Sequence, residues 1–167
     1  MKHERVWERL ELELLQEGAA AQKARTRGLV EESAVAYGEP WLESAWWDLR
    51  DAAASGLPWR MVEVIKEHMG WSDATCARFL RISEKTLQRC RASGGRLNTD
   101  SAEKVLDLSR LLLLGREVFG SGERFQGWLA TPGLWFDGHT PEALLFDDFG
   151  RQLVREALGR IEHGLWA

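Results

Sequence analysis

SDATCARFLRISEKTLQRCR, residues Ser72 to Arg91, reads as two short helices joined by a tight turn. Ser72 is an N-cap, and Asp73 places an acid in the first turn, where the helix dipole favours it. The first helix runs to about Leu80. Arg81, Ile82 and Ser83 form the turn, and Ser83 caps a second helix from Glu84 to about Arg91 or Ala92. Helices this short are marginal alone, so they need a shared core. The apolar spacing supplies it from Cys76, Ala77, Leu80, Ile82, Leu87 and Cys90.

The second helix then exposes Glu84, Lys85, Gln88 and Arg89. Lys85 and Arg89 are four residues apart and share a face. Long polar side chains near the start of a helix can reach base edges in a major groove. Arg78, Arg91 and Arg96 flank that face and suit phosphates. Ser83, at the helix start, completes the candidate DNA-binding set. An ordinary helix pair with a solvated basic face would share this pattern, but charge favours the DNA reading. From Ser72 to Arg96 six basic residues face two acids, a balance of +4, on a chain whose net charge is −4. Arg81 occupies a turn position that favours glycine in a left-handed conformation, so a mildly strained turn is expected.

The chain has 167 residues, enough for one or two small domains. With 44% hydrophobic and 29% charged residues it reads as a globular protein. No apolar run approaches the roughly 18 residues a membrane span needs. The start, MKHERVWERLELELL, carries acids through its apolar part, unlike a signal peptide, and a cytoplasmic location is expected. The two cysteines fall on inward positions of the helix pair and read as small core residues. Nine tryptophans are spread along the chain, a surplus that points to protein interfaces as well as core.

No period-2 alternation occurs, and the expected fold is all-α. An amphipathic helix over residues 4–24 places Trp7, Leu10, Leu14 and Leu15 on one face, with Glu8, Glu11, Glu13 and Glu17 around it. Residues 25–38 are weakly patterned. A second helix starts at Pro40, carrying Leu42, Ala45, Trp46, Leu49 and Ala53 inward, and SGLP at 55–58 ends it. A third, Trp59 to Met69, turns Val62, Ile65 and Met69 inward and ends at Gly70. After the helix pair, Asp100 to Phe119 is apolar nearly all round, so it is either a central helix or also a dimer face, and Gly115 permits close approach of a neighbour. Short helices over 123–130 and from Thr140-Pro141 follow. A last helix, 147–163, carries Phe149, Leu153, Ala157, Leu158 and Ile161 on one face. The apolar Leu165-Trp166 pair follows it, where chain ends are usually polar.

Chemistry is sparse. His3, His68, His139 and His163 lack metal-ligand spacing, and there is neither a phosphate loop nor a nucleophile elbow. Asp147-Asp148 reads as a helix start. The expectation is a binding protein without catalytic activity, metal or cofactor.

RISEKTLQRCRASGGRLNTDSAEKVLDLSRLLLLGREVFG (81–120), WLATP (128–132), GHTPEALL (138–145) and GRIEHGLWA (159–167), in that order, resemble the MbcA/ParS/Xre family of type II antitoxins. The resemblance covers about Pro58 to Ala167. It implies pairing with a RES-domain toxin that consumes NAD or transfers ADP-ribose from it. It also implies a C-terminal domain that covers the toxin and a helix-turn-helix that binds operator DNA, usually as a homodimer. The toxin-facing candidates are then Arg160, Glu162, His163, Leu165 and Trp166; alternatively Leu165 and Trp166 fold back onto their own domain. The turn residue, typically glycine in the family, is Arg81 here. The expected division is a helical extension (1–57), a DNA-binding domain (58–98) and a toxin-binding domain (99–167). A stand-alone regulator whose C-terminal domain only dimerises is a second reading, and toxin binding alone, with the acidic remainder of the chain opposing DNA, is a third.

Overall fold

The structure is a computed structural model, which describes residues 2–26 and 49–165. The helices are α1 (Lys2–Thr26), α2 (helical over 49–54), α3 (Arg60–Met69), α4 (Asp73–Leu80), α5 (Glu84–Ser93), α6 (Thr99–Phe119), α7 (Gly122–Leu129), α8 (Pro141–Leu144) and α9 (Asp148–Glu162). A 3-10 turn, Leu134–Phe136, precedes α8. Among the described residues there is no strand, only an isolated bridge between Pro58 and Arg96. The all-α expectation holds.

The caps read from the sequence are present. Ser72 Oγ accepts from Thr75 N–H and Ser83 Oγ from Thr86 N–H, each at 3.1 Å. Gly70 closes α3 in the left-handed conformation at φ 64°, and Thr140 caps α8 ahead of Pro141. Arg81 also adopts that conformation, with φ 57° and ψ 41°. The Ile82 amide reaches back to the Ala77 carbonyl at 3.0 Å, the six-residue closure of a Schellman turn. The turn therefore keeps the geometry a glycine would give it and carries the strain of a β-carbon. Asp147 caps α9, its carboxylate accepting from Gly150 N–H at 2.7 Å.

One apolar core runs from Trp7 to Leu158 and includes residues of α1, α3, α4, α6, α7 and α9. α6 is central within the chain: it packs on α3, α7 and α9. At Gly115 a β-carbon would lie 2.2 Å from the Phe125 ring, so the close neighbour is α7 of the same chain. α1 packs on α3 and reaches α7, where Trp7 sits so near Gly122 that no β-carbon fits between them.

Several inward faces differ from the sequence reading. Leu15 is 54% exposed, because Trp7, Leu10 and Leu14 already define the buried line and the adjacent residue turns about 100° away. Glu17, expected on the polar flank, is buried beneath Arg60 and Arg96. Phe149 is 74% exposed, and α9 instead buries Gly150, Arg151, Val154 and Leu158. Phe79, left out of the helix-pair core, is buried. Leu42, Ala45 and Trp46 lie outside the described residues; Leu49 and Ala53 are buried as expected.

Candidate nucleic-acid interface and partner groove

α5 hangs on Leu87, fully buried, with Cys90 half-buried beside it. That orientation leaves Ser83, Glu84, Lys85, Gln88 and Arg89 in solvent. Lys85, Gln88 and Arg89 lie within four positions of one another and form one polar, basic ridge. Ser83 serves as cap and its hydroxyl also meets Thr86 Oγ1 at 2.9 Å. Both cysteines are free; burial pushes the Cys76 thiol up to about 11, which keeps it protonated and unreactive near neutrality.

The flanking arginines divide. Arg78 is exposed, its guanidinium 4.0 Å from the centroid of the Phe146 ring. Arg96 is exposed too, donating to the Ser55 carbonyl at 3.3 Å and pairing with Glu17 at 3.5 Å. Arg91 departs from the free phosphate-binding side chain the sequence suggested. Its half-buried guanidinium is paired within the chain to Asp73 and Glu63. Those bonds raise the Arg91 pKa and, with Lys66, hold the Asp73 carboxyl well below its usual range.

Phe79 is buried because the chain beyond α7 covers this side of the helix pair. Trp71 and Phe146 stack at 5.3 Å between centroids, Phe79 lies against both, and Trp71 Nε1 donates to Glu142 at 3.2 Å. Next to them Arg151 is buried, donating to Asp107 at 2.6 Å, to the Leu145 carbonyl at 2.8 Å and to Asp148. Asp147 and Asp148 thus act in the helix start, as their position suggested. Among the described residues no group of three or more His, Cys, Asp or Glu is placed to hold a metal.

A second surface lies at the end of α9. Gly164, at φ 66°, reverses the chain, and the Leu165 amide returns to the Arg160 carbonyl at 2.8 Å. Leu165 thereby borders an apolar groove of about 240 Å³ lined by Trp128, Trp135, Leu153, Ala157 and Ile161, with Arg160 at its edge. The Arg160 guanidinium sits 4.5 Å from the centroid of a Trp135 ring. Leu134 is 99% exposed, Trp135 55% and Leu165 65%. Of the toxin-facing candidates, Arg160 and Leu165 meet at this groove, Glu162 and His163 are exposed outside its lining, and Trp166 lies outside the described residues. Leu134 and Trp135 were not among the candidate residues read from the sequence, although a tryptophan between glycines was a signal for them.

No helix among the described residues is long and apolar enough to cross a membrane. Residues 48–110 match the family model of the antitoxin Xre-like helix-turn-helix domain, and residues 114–164 match that of the antitoxin Xre/MbcA/ParS C-terminal toxin-binding domain. The first match begins ten residues before the expected Pro58 boundary, and the change from one to the other falls within α6. Among curated relatives, a protein named Antitoxin Xre from Yersinia enterocolitica is 28% identical over 111 residues, 64% of this chain and 74% of that one. Another of the same name, from Photorhabdus laumondii subsp. laumondii, is 24% identical over 111 residues, 66% of this chain and 75% of its own. With both matched domains in this order across most of its length, the chain belongs to the Xre/MbcA/ParS antitoxin family.

Proposed function

We propose that this protein is the antitoxin of a type II system, which binds and neutralises a RES-domain toxin that consumes NAD or transfers its ADP-ribose, and which represses its own operon. The observation that carries the toxin half is the groove of Trp135, Arg160 and Leu165 within the matched toxin-binding domain and at its end. It offers what a protein interface concentrates: exposed aromatic and aliphatic side chains with an arginine at the rim. Arg160, Leu165 and Trp166 enter the toxin, with Glu162 and His163 at the edge. Neutralisation here is occlusion and needs no catalysis, metal or cofactor.

In the DNA half, Lys85, Gln88 and Arg89 read base edges while Ser83, Arg78 and Arg96 lie near phosphates. Repression uses a homodimer on a palindromic operator with half-sites about one helical turn apart. Residues 58–98 carry DNA binding and 99–167 toxin binding. Residues 1–57 are an extension to these two parts, and its α1 is packed against both. The protein works in the cytoplasm, beside the toxin and the DNA.

The test is co-expression with the product of the neighbouring gene, followed by pull-down, growth and cellular NAD level. A stable complex that restores growth and NAD is expected. No complex and no protection would leave a stand-alone helix-turn-helix regulator.

A further inference from the structure

The geometry points to Arg91 as a positioning residue for the recognition helix: it braces α5 against α3 and α4 through Glu63 and Asp73 and does not itself touch DNA. This rests on the DNA-binding reading above and refines it, because the sequence placed Arg91 among the phosphate contacts.

Arg91 lies four residues after Leu87, on the inward side of α5, whereas Arg89 lies about 200° away from Arg91 on the outward side. Its Nη1 and Nη2 donate to the two carboxylate oxygens of Asp73 at 2.9 and 2.8 Å, and its Nε donates to Glu63 Oε1 at 2.7 Å. Asp73 is the first residue of α4, and Glu63 stands in the first turn of α3. One planar guanidinium therefore fastens three helices, in the two-pronged geometry that gives arginine–carboxylate pairs their directional hold.

The far ends of the brace are themselves fixed. Glu63 accepts a hydrogen bond from Nε1 of Trp59 at 2.9 Å, and Trp59 is 4% exposed. Asp73 also pairs with Lys66 of α3. α5, by contrast, buries Leu87 as its apolar anchor. Leu87 is the one side chain of α5 that is fully buried, with Cys90 half-buried beside it, and the Arg91 fork one turn further on adds a directional hold that apolar contacts do not supply. The direction of Lys85, Gln88 and Arg89 follows from the roll. Two cations and two carboxylates make the cluster neutral, so it adds little to the field that attracts DNA. Three of its five N–H donors are committed to carboxylates, and turning the guanidinium towards a phosphate would leave both acids without their partner.

The two roles predict opposite signs for Asp73→Ala. If Arg91 braces, losing Asp73 weakens operator binding; if Arg91 grips phosphate, losing Asp73 frees it and strengthens binding. The experiment uses the full chain and a duplex selected from random-sequence DNA by the wild-type protein. Binding to it and to an unselected duplex is titrated over a range of salt, at a temperature where circular dichroism shows every variant folded. Arg91→Ala, Arg91→Lys and Asp73→Ala should each weaken binding to the selected duplex roughly tenfold, within the range of a misplaced base contact. Arg91→Lys and the double alanine variant, which keep the cluster neutral, should leave binding to the unselected duplex and the salt slope at wild-type values, and the double variant should be no weaker on the selected duplex than either alanine single. A role in stability alone would not move the ratio between the two duplexes. Tighter binding by Asp73→Ala overturns the inference. So does an equal loss on both duplexes with the Arg91→Ala slope shallower by about 0.9, the mark of a lost phosphate contact. An unchanged ratio in all three variants overturns it as well. A wild-type chain from which no preferred duplex can be selected overturns the DNA-binding reading, and this inference with it.

Discussion

Arg81→Gly should make this protein more stable, although it removes a charged side chain and adds the most flexible residue to the chain. Arg81 stands at φ 57° and ψ 41° at the end of α4. A β-carbon there costs about 1–2 kcal/mol, because it crowds the following carbonyl. Glycine removes that cost but raises the backbone entropy of the unfolded chain, which returns roughly 0.5–1 kcal/mol. The net expectation is a gain of about 0.5–1 kcal/mol, since the turn's hydrogen bonds come from backbone groups and survive the change. In a protein of this size that corresponds to a rise of about 1–4 °C in Tm. The Arg81 side chain also borders a polar groove with Asp100, Glu103 and Asp107, so charge has to be separated from strain. Arg81→Ala does this, for it deletes the charge and keeps the β-carbon. Thermal and urea unfolding of both variants measure the difference. Arg81→Gly no more stable than Arg81→Ala would refute the strain reasoning; Arg81→Gly above both Arg81→Ala and wild type is the expected order.

Two glycines inside helices should respond to alanine with opposite signs. Gly127→Ala meets open space at an exposed position of α7 and should stabilise by about 0.5–1 kcal/mol, the ordinary helix-propensity gain. Gly115→Ala drives a methyl into the Phe125 ring and should destabilise by about 1–3 kcal/mol in urea titration. Acid stability should depend on Asp73. Hydrogen bonds from Arg91 and Lys66 depress its folded pKa, so its contribution is complete above the unfolded carboxylate pKa and is lost as pH falls through the folded value. Asp73→Asn should therefore be less stable at pH 7 and lose less stability than wild type on acidification, read from unfolding midpoints across pH. Function should separate by surface. Trp135→Ala should weaken toxin binding roughly tenfold to a hundredfold with operator binding kept, and Arg89→Ala should do the reverse, measured by calorimetry and mobility shift. Equal loss of both activities in either variant would defeat the two-surface view.

The helix ends were legible because capping is decided within a few residues. Ser72, Ser83, Gly70 and Thr140 act through hydrogen bonds to near neighbours in sequence, and each stands where its residue type suggested. Even the strain at Arg81 could be read, because the turn leaves one conformation for that residue. Which face of a helix is buried was less legible. Leu14 and Leu15, or Phe149 and Gly150, differ by one residue and about 100°, and apolar type alone does not choose between them. Phe79 is covered by Trp71 and Phe146, and Phe146 comes from a stretch that lies four helices further along the chain.

The sequence by itself determined the helix-turn-helix, its caps, the ridge of Lys85, Gln88 and Arg89, and the order of the two halves, since each depends on local spacing or on motif. The tertiary structure alone decided which arginines are free. Arg89 and Arg91 are the same residue type two positions apart on one basic helix, yet only the approach of α3 and α4 brings Glu63 and Asp73 to Arg91. It also decided that Trp135, Arg160 and Leu165 share one groove, because the turn at Gly164 and the packing of α9 bring together residues up to thirty positions apart. Local chemistry sets what a side chain can do; packing sets which partner reaches it first.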